Sequence, residues 1–195
     1  MRNFCFLLGS SILLAGCSLG LTGKAPPFLL NLSPATSPAA NAGETIAQGD
    51  AITIATPLVP QAIATTRVPV SQGETAIAYV PDAVWVEQPA RLFQRLLSET
   101  VRARTGRTVL DPRQFAMEPG LQLSGQLLQF TIDERSGRAV VIYDASLSGA
   151  ADKKVRTRRF EARVPIGKID ARNVGVALNS AANRVAGEVA DWIGR

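Results

Sequence analysis

Residues 121 to 164 constrain this chain more than any other stretch. They hold three consecutive runs in which apolar and polar side chains alternate. The first run, residues 121 to 132, carries Leu121, Leu123, Leu127, Leu128, Phe130 and Ile132, and it ends at the turn Asp133-Glu134-Arg135-Ser136-Gly137. Residues 138 to 148 place Val141, Tyr143, Ala145 and Leu147 on one face and Val140, Ile142, Asp144, Ser146 and Ser148 on the other. A second turn at 149 to 153 leads to residues 155 to 164. There Val155, Thr157, Arg159, Glu161 and Arg163 alternate with Arg156, Arg158, Phe160, Ala162 and Val164. A period of two repeated across short turns predicts an antiparallel meander.

A sheet with an apolar face needs a cover, and two segments offer one. Asp170 can cap a helix running to about Ile193, along which Val174, Leu178, Ala181, Val185, Val189 and Trp192 form an apolar stripe. Pro89 suits the first turn of an earlier helix, where its missing N–H is no loss. Leu92, Phe93, Leu96, Leu97 and Val101 make that helix's apolar face, and Gly106 suits the position just past its end. Arg102 and Arg104 lie near its negative end; Arg91 and Arg95 fall on the polar side, where arginines more often form a solvated face than a phosphate site. Short strands are expected at Phe28 to Leu32, at 51 to 56, at Arg67 to Val70, at Thr75 to Val80 and at Thr108 to Leu110. Residues 33 to 49 read as a loop. The expected fold class is α+β, a mixed and largely antiparallel sheet with two main helices on one face.

The first residues read differently. Arg2 and Asn3 precede an apolar run from Phe4 to Leu14, of secretory-signal length and too short to span a bilayer. Leu14-Ala15-Gly16-Cys17 resembles the bacterial lipobox at every position. The resemblance implies cleavage after Gly16, a diacylglycerol thioether on Cys17, and acylation (palmitate) of the freed amine. Small residues at 15 and 16 suit a protease cleft, and two or more acyl chains anchor firmly where one does not. The alternative is an ordinary signal peptide with a stray cysteine. The organisation expected is a lipoprotein signal at 1–16, a lipidated tether at 17–27 and one domain at 28–195. Cys5 would leave with the signal, so the mature domain holds no disulfide and must be stable through its core. Losing Arg2 brings the formal charge one unit below the +5 of the full sequence, a modest basicity suited to anionic headgroups rather than to nucleic acid.

Little catalytic chemistry is on offer. The chain has no histidine, which removes Ser-His-Asp and Cys-His constellations and the commonest metal ligand. A lipidated Cys17 can be neither nucleophile nor metal ligand. No glycine-rich phosphate loop follows a strand. The Asp133-Glu134 pair sits in a turn, where such carboxylates are usually solvated. The expectation is a non-enzymatic protein without metal or cofactor. The densest basic run is Lys153 to Arg159, with Lys154, Arg156 and Arg158 among its members. It can dock an acidic partner or lipid headgroups, or it can be the charged rim that keeps a sheet edge from aggregating.

In their order, several segments resemble the ABC-type transport auxiliary lipoproteins, the family that includes the PqiC-type lipoproteins of the paraquat-inducible transport system. They are FLLNL after the tether, YVPDAVWVEQPARLFQRLL leading into the first helix, LSGQLLQFTID with VVIYDASL, RRFEARVP, and ALNSAANRVAGEVADWI at the end. The resemblance implies a non-catalytic periplasmic component of an intermembrane lipid transport system. Its partners would be an MCE-domain protein with an ABC permease and ATPase, and a homo-oligomer stays open. Ser18 after Cys17 favours the outer membrane over the inner under the enterobacterial sorting rule. A structural or assembly lipoprotein of the outer membrane, unrelated to an ABC system, is the alternative.

Overall fold

A computed structural model describes residues 25–39, 51–110, 120–149 and 154–194. The elements follow as β1 (Ile52–Ile54), a 3-10 turn (Gln61–Ile63), β2 (Arg67–Gln72), β3 (Ala76–Val84), α1 (Pro89–Thr105), β4 (Val109–Leu110), β5 (Leu121–Asp133), β6 (Arg138–Gly149), β7 (Val155–Pro165) and α2 (Ala171–Ile193). The class is the α+β arrangement expected, with the strands joined in one mixed sheet.

The meander is its backbone. β5 pairs antiparallel with β6 from Leu121↔Gly149 to Asp133↔Arg138, and β6 pairs antiparallel with β7 from Arg138↔Pro165 to Ser148↔Val155. The far edge of β5 is shared. β1 pairs parallel to its first half, Ile52↔Leu121, and also carries β4. β2 pairs parallel to its last residues, Val70↔Ile132, and carries β3. Between them Leu58 donates its N–H to Gly125 and accepts from Leu127, so residues 52 to 71 track β5 from end to end.

The alternation along β5 changes parity halfway. Leu123 and Leu127 are buried, then Phe130 and Ile132. The register slips between Leu127↔Tyr143 and Gln129↔Ile142, which leaves Leu128 as a bulge. One extra residue moves the apolar set from odd to even positions while the same face stays inward. The adjacent leucines at 127 and 128 are the sequence trace of that switch.

Both helices lie on one face. Phe93 of α1 meets Tyr143 of β6 edge-on at 5.3 Å, and Trp192 of α2 meets Phe160 of β7 at 5.6 Å; Tyr143 and Phe160 are opposite one another across the ladder. The opposite sheet face, with Gln122, Gln126, Asp144 and Glu161, is polar, as one-sided packing requires. α1 begins with Pro89 and ends at Gly106, whose φ of 66° is left-handed and whose N–H closes on the Arg102 carbonyl. Asp170 caps α2 by accepting the Asn173 N–H at 2.9 Å. α1 and α2 meet at their C-terminal ends, where Arg104 pairs with Asp191 at 2.9 Å.

Four strands differ from expectation, and the first is β2, which runs on to Gln72 rather than ending at Val70. β3 continues to Val84 rather than stopping at Val80, because the register jumps from Pro69↔Tyr79 to Arg67↔Val84. Val80 to Ala83 bulge out there, with Asp82 at a φ of 59°. Pro81 and Asp82 read as breakers, and they are; pairing resumes beyond them. β1 is shorter than 51 to 56, ending at Ile54. The stretch Phe28 to Leu32 makes one parallel bridge, Leu30↔Trp85, and then leaves the sheet. Its next backbone groups bond to α2 instead: Ser33 N–H donates to Asn179 Oδ1 and Ala35 N–H to Asn183 Oδ1. Two asparagines one turn apart thus outcompete the sheet edge for the chain.

Candidate docking surface

The predicted anchor, Cys17 with Leu14, Ala15 and Gly16, lies outside the described residues, as does Lys153. Lys154, Arg156 and Arg158 are described and exposed, at the start of β7. Their surroundings follow from the alternation of that strand. Arg156 and Arg158 share a face with Phe160 and Ala162, so they point to the helix side, where α2 ends. The Arg156 guanidinium lies 5.2 Å from the centre of the Trp192 ring, and that of Arg158 lies 5.1 Å from Phe160.

The other face of the same strand is arranged differently. Arg159 makes a bidentate pair with Asp144, Nε to Oδ1 at 2.6 Å and Nη2 to Oδ2 at 2.7 Å, and Arg163 pairs with Glu161. Those two arginines have carboxylates. Among the described residues, Lys154, Arg156 and Arg158 form no ion pair, Asp191 is occupied by Arg104, and Glu188 pairs with none of them. Among the described residues β7 therefore sorts its cations: paired with carboxylates on the open face, and braced by rings with no described carboxylate on the helix side. A charged strand that merely guards an edge needs no such difference. Trp192 escaped assignment to the patch from sequence, although its place at the end of the α2 stripe and the parity of β7 both pointed there.

The Arg159 guanidinium holds the Asp144 carboxyl below its ordinary value, mainly by hydrogen bonding. Ser136 does the same for Asp133 in the β5–β6 turn. Folded values below the unfolded ones contribute stability above about pH 4, and that contribution is lost as pH falls through the folded values. Asp144→Asn is expected to flatten the acid limb of a stability–pH curve below about pH 4 while leaving neutral stability within about 1 kcal/mol, since the pair is exposed. Equal acid limbs for both proteins in urea titrations would contradict this. Tyr143 is pushed above its ordinary value by burial and stays neutral, its hydroxyl donating to the Ser124 carbonyl at 3.1 Å.

At the opposite end of α2, Arg172 stacks over Phe28 at 5.4 Å. Pro27, Phe28, the β3 bulge and residues 169 to 173 enclose a cleft of about 540 Å³. A second groove, of about 330 Å³, runs between α1 and β1/β4 and is lined by Ile54, Gln94, Ser98, Arg102 and Leu110. No group of Asp, Glu, Cys or His placed to hold a metal occurs among the described residues, and none of their helices is long and apolar enough to cross a membrane.

The described residues thus form a one-sided α+β sheet with a basic end braced by aromatic rings. The family model described as the ABC-type transport auxiliary lipoprotein component matches residues 30–190, and the chain belongs to that family. No curated protein matches the sequence. Among solved structures, protein XCC0632 from Xanthomonas campestris is similar in fold at 18% identity, with a TM-score of 0.69, over 85% of this chain and 94% of that one. An uncharacterised protein aligns at 12% identity and a TM-score of 0.64, over 77% and 96%. The PelC dodecamer from Paraburkholderia phytofirmans aligns more loosely, at 14% identity and a TM-score of 0.40, over 75% and 91%.

Proposed function

We propose that this chain is the non-catalytic, lipid-anchored periplasmic member of an ABC/MCE-type intermembrane lipid transport system, held at the outer membrane through Cys17, where it docks or steadies the conduit. Membership in the auxiliary lipoprotein family carries the reading. The absence of histidine supports a role in binding rather than chemistry, and the energy for transport would come from the partner ATPase. The sorting of cations along β7 supports a working surface at the α2 C-terminal end.

Two measurements test it. Cys17→Ser is expected to abolish lipidation, leaving a form whose membrane association is lost once the leader is removed. A processed Cys17→Ser protein that still fractionates with membranes would refute the anchor. The lipidated wild type, purified from detergent extracts of its own cells, is expected to carry an MCE-domain protein, a permease and an ATPase. Failure to recover any of them across several detergents, with the anchor intact, would favour a structural or assembly lipoprotein.

A further inference from the structure

The groove between α1 and the β1/β4 edge holds two opposite charges that do not meet. Glu87, just before α1, takes Arg91 at 3.8 Å and also Arg95, and Asp191 takes Arg104. Arg102 is treated differently. Among the described residues it forms no ion pair, and its Nε is fully buried without a hydrogen-bond partner. A buried donor in that state bears the full cost of its desolvation and calls for an explanation. Glu99 lies three residues earlier, a spacing at which Glu and Arg on one helix ordinarily pair. The two stay apart, and both line the groove. The groove is also preformed. Gln94 donates from Nε2 to the Ile54 carbonyl at 2.8 Å and accepts from the Thr56 hydroxyl at 2.8 Å, which pins α1 to β1 and the residues just beyond it. The Ser98 hydroxyl donates to the Gln94 carbonyl at 2.9 Å, so its lone pairs remain to accept. Ile54, Val109 and Leu110 give the groove an apolar side, and its volume of about 330 Å³ suits a headgroup-sized molecule.

A lone anion in this groove would meet Glu99, and a lone cation would meet Arg102. The complement is a small molecule that carries both charges beside an apolar part. We propose that the groove binds the phosphoethanolamine headgroup of a zwitterionic phospholipid. Arg102 takes the phosphate side-on through Nε and Nη2, the pair of donors that Arg159 gives to Asp144, once its fork turns toward the ligand. The orphaned Nε then has its acceptor. The ammonium, two methylenes away, donates to the Glu99 carboxylate and the Ser98 hydroxyl. Ile54, Val109 and Leu110 lie beside the glycerol end. The side chains of Glu99 and Arg102 are rooted about 5 to 6 Å apart, which suits charges separated by a linker better than the two charges of an α-amino acid, held on one carbon. The inference rests on the transport reading above for the presence of a lipid, and it adds the chemistry of the headgroup.

The experiment is isothermal titration of the full, lipidated chain in dodecyl maltoside micelles with dihexanoyl phosphatidylethanolamine. Arg102→Gln and Glu99→Gln are each expected to weaken binding about tenfold, since each removes a hydrogen bond to a charged group. The wild type should bind dihexanoyl phosphatidylglycerol less tightly, and Glu99→Gln should erase that preference. Arg158→Gln, on β7, should bind as the wild type does. Thermal unfolding of each variant controls for folding. Binding indifferent to Arg102→Gln would overturn the inference, as would equal affinity of the wild type for the two lipids. Glycerophosphoethanolamine bound as tightly as the lipid would assign the groove to a soluble phosphodiester, and leucine bound more tightly would assign it to an amino acid; either result overturns it. Residues 111 to 119, which follow Leu110, lie outside the described residues. A wild type that binds nothing, beside an Asp111→Asn variant that binds, would put the chain's own carboxylate in the ligand's place and overturn it as well. Partner recovery keeps the two readings apart: a silent groove with the transport partners recovered removes this inference alone, and a binding groove without partners removes the transport reading alone.

Discussion

Gly125→Ala is expected to destabilise the domain by about 3 kcal/mol, at the upper end of what overpacking usually costs. Gly125 faces Ala145 in the β5–β6 ladder. A Cβ there would stand 2.2 Å from the Asp144 carbonyl oxygen and 2.7 Å from the Tyr143 ring and hydroxyl. The first obstacle is backbone in the middle of the longest ladder; the second is a fully buried ring whose hydroxyl bonds to the neighbouring Ser124 carbonyl. Neither can yield without breaking pairing. For a chain of this size the loss corresponds to about 10 °C in Tm. Gly73→Ala is the control. Gly73 has a φ of 72° but open space around it, so that change should cost only about 1 kcal/mol, from backbone strain. Equal losses at the two positions in thermal or urea unfolding would sink the steric explanation.

Phe93→Ala is expected to cost more, about 3 to 5 kcal/mol, the usual range for removing a buried aromatic. Phe93 is fully buried, packs edge-on against Tyr143 and lies where α1 meets the sheet. Its loss leaves a cavity between helix and sheet, and the rigid ladder below cannot collapse into it. Phe93→Leu keeps most of the volume and should cost less than about 1.5 kcal/mol. Were the leucine variant as unstable as the alanine one, the ring contact rather than the cavity would dominate.

The parts of the fold legible in the sequence are those governed by local period. The meander, the α2 stripe with its Asp170 cap, and the α1 limits at Pro89 and Gly106 all follow from alternation, helical spacing and capping. The parts that were not legible depend on partners distant in sequence. β3 resumes after its bulge because Val84 meets Arg67, and nothing near Pro81 and Asp82 announces that. Phe28 to Leu32 makes one bridge because Asn179 and Asn183, some 150 positions on, capture the next residues. Residues 57 to 66 show no alternation in the sequence, because their role, bridging β1 to β2 along β5 through Leu58, uses backbone groups rather than side chains. For the candidate surface, the basic run was visible as composition. The division between neutralised and ring-braced arginines required knowing that Asp144 faces Arg159 and that Trp192 ends over Arg156.

The shared edge of β5 also orders events in time. β5, β6, β7 and α2 are joined by short connections, and their ladders close between near neighbours in sequence. β1 and β2 find their partner only across spans such as Ile52 to Leu121 and Val70 to Ile132. Parallel pairings at such separation form slowly, because the loop entropy is lost before the contact rewards it. Chains emerge N-terminus first, so β1 and the β2–β3 hairpin, made earliest, must wait for β5 to join them into one sheet. The C-terminal meander is therefore expected to form first, and a truncation that removes β5 should leave residues 51 to 110 without the strand that joins β1 to β2.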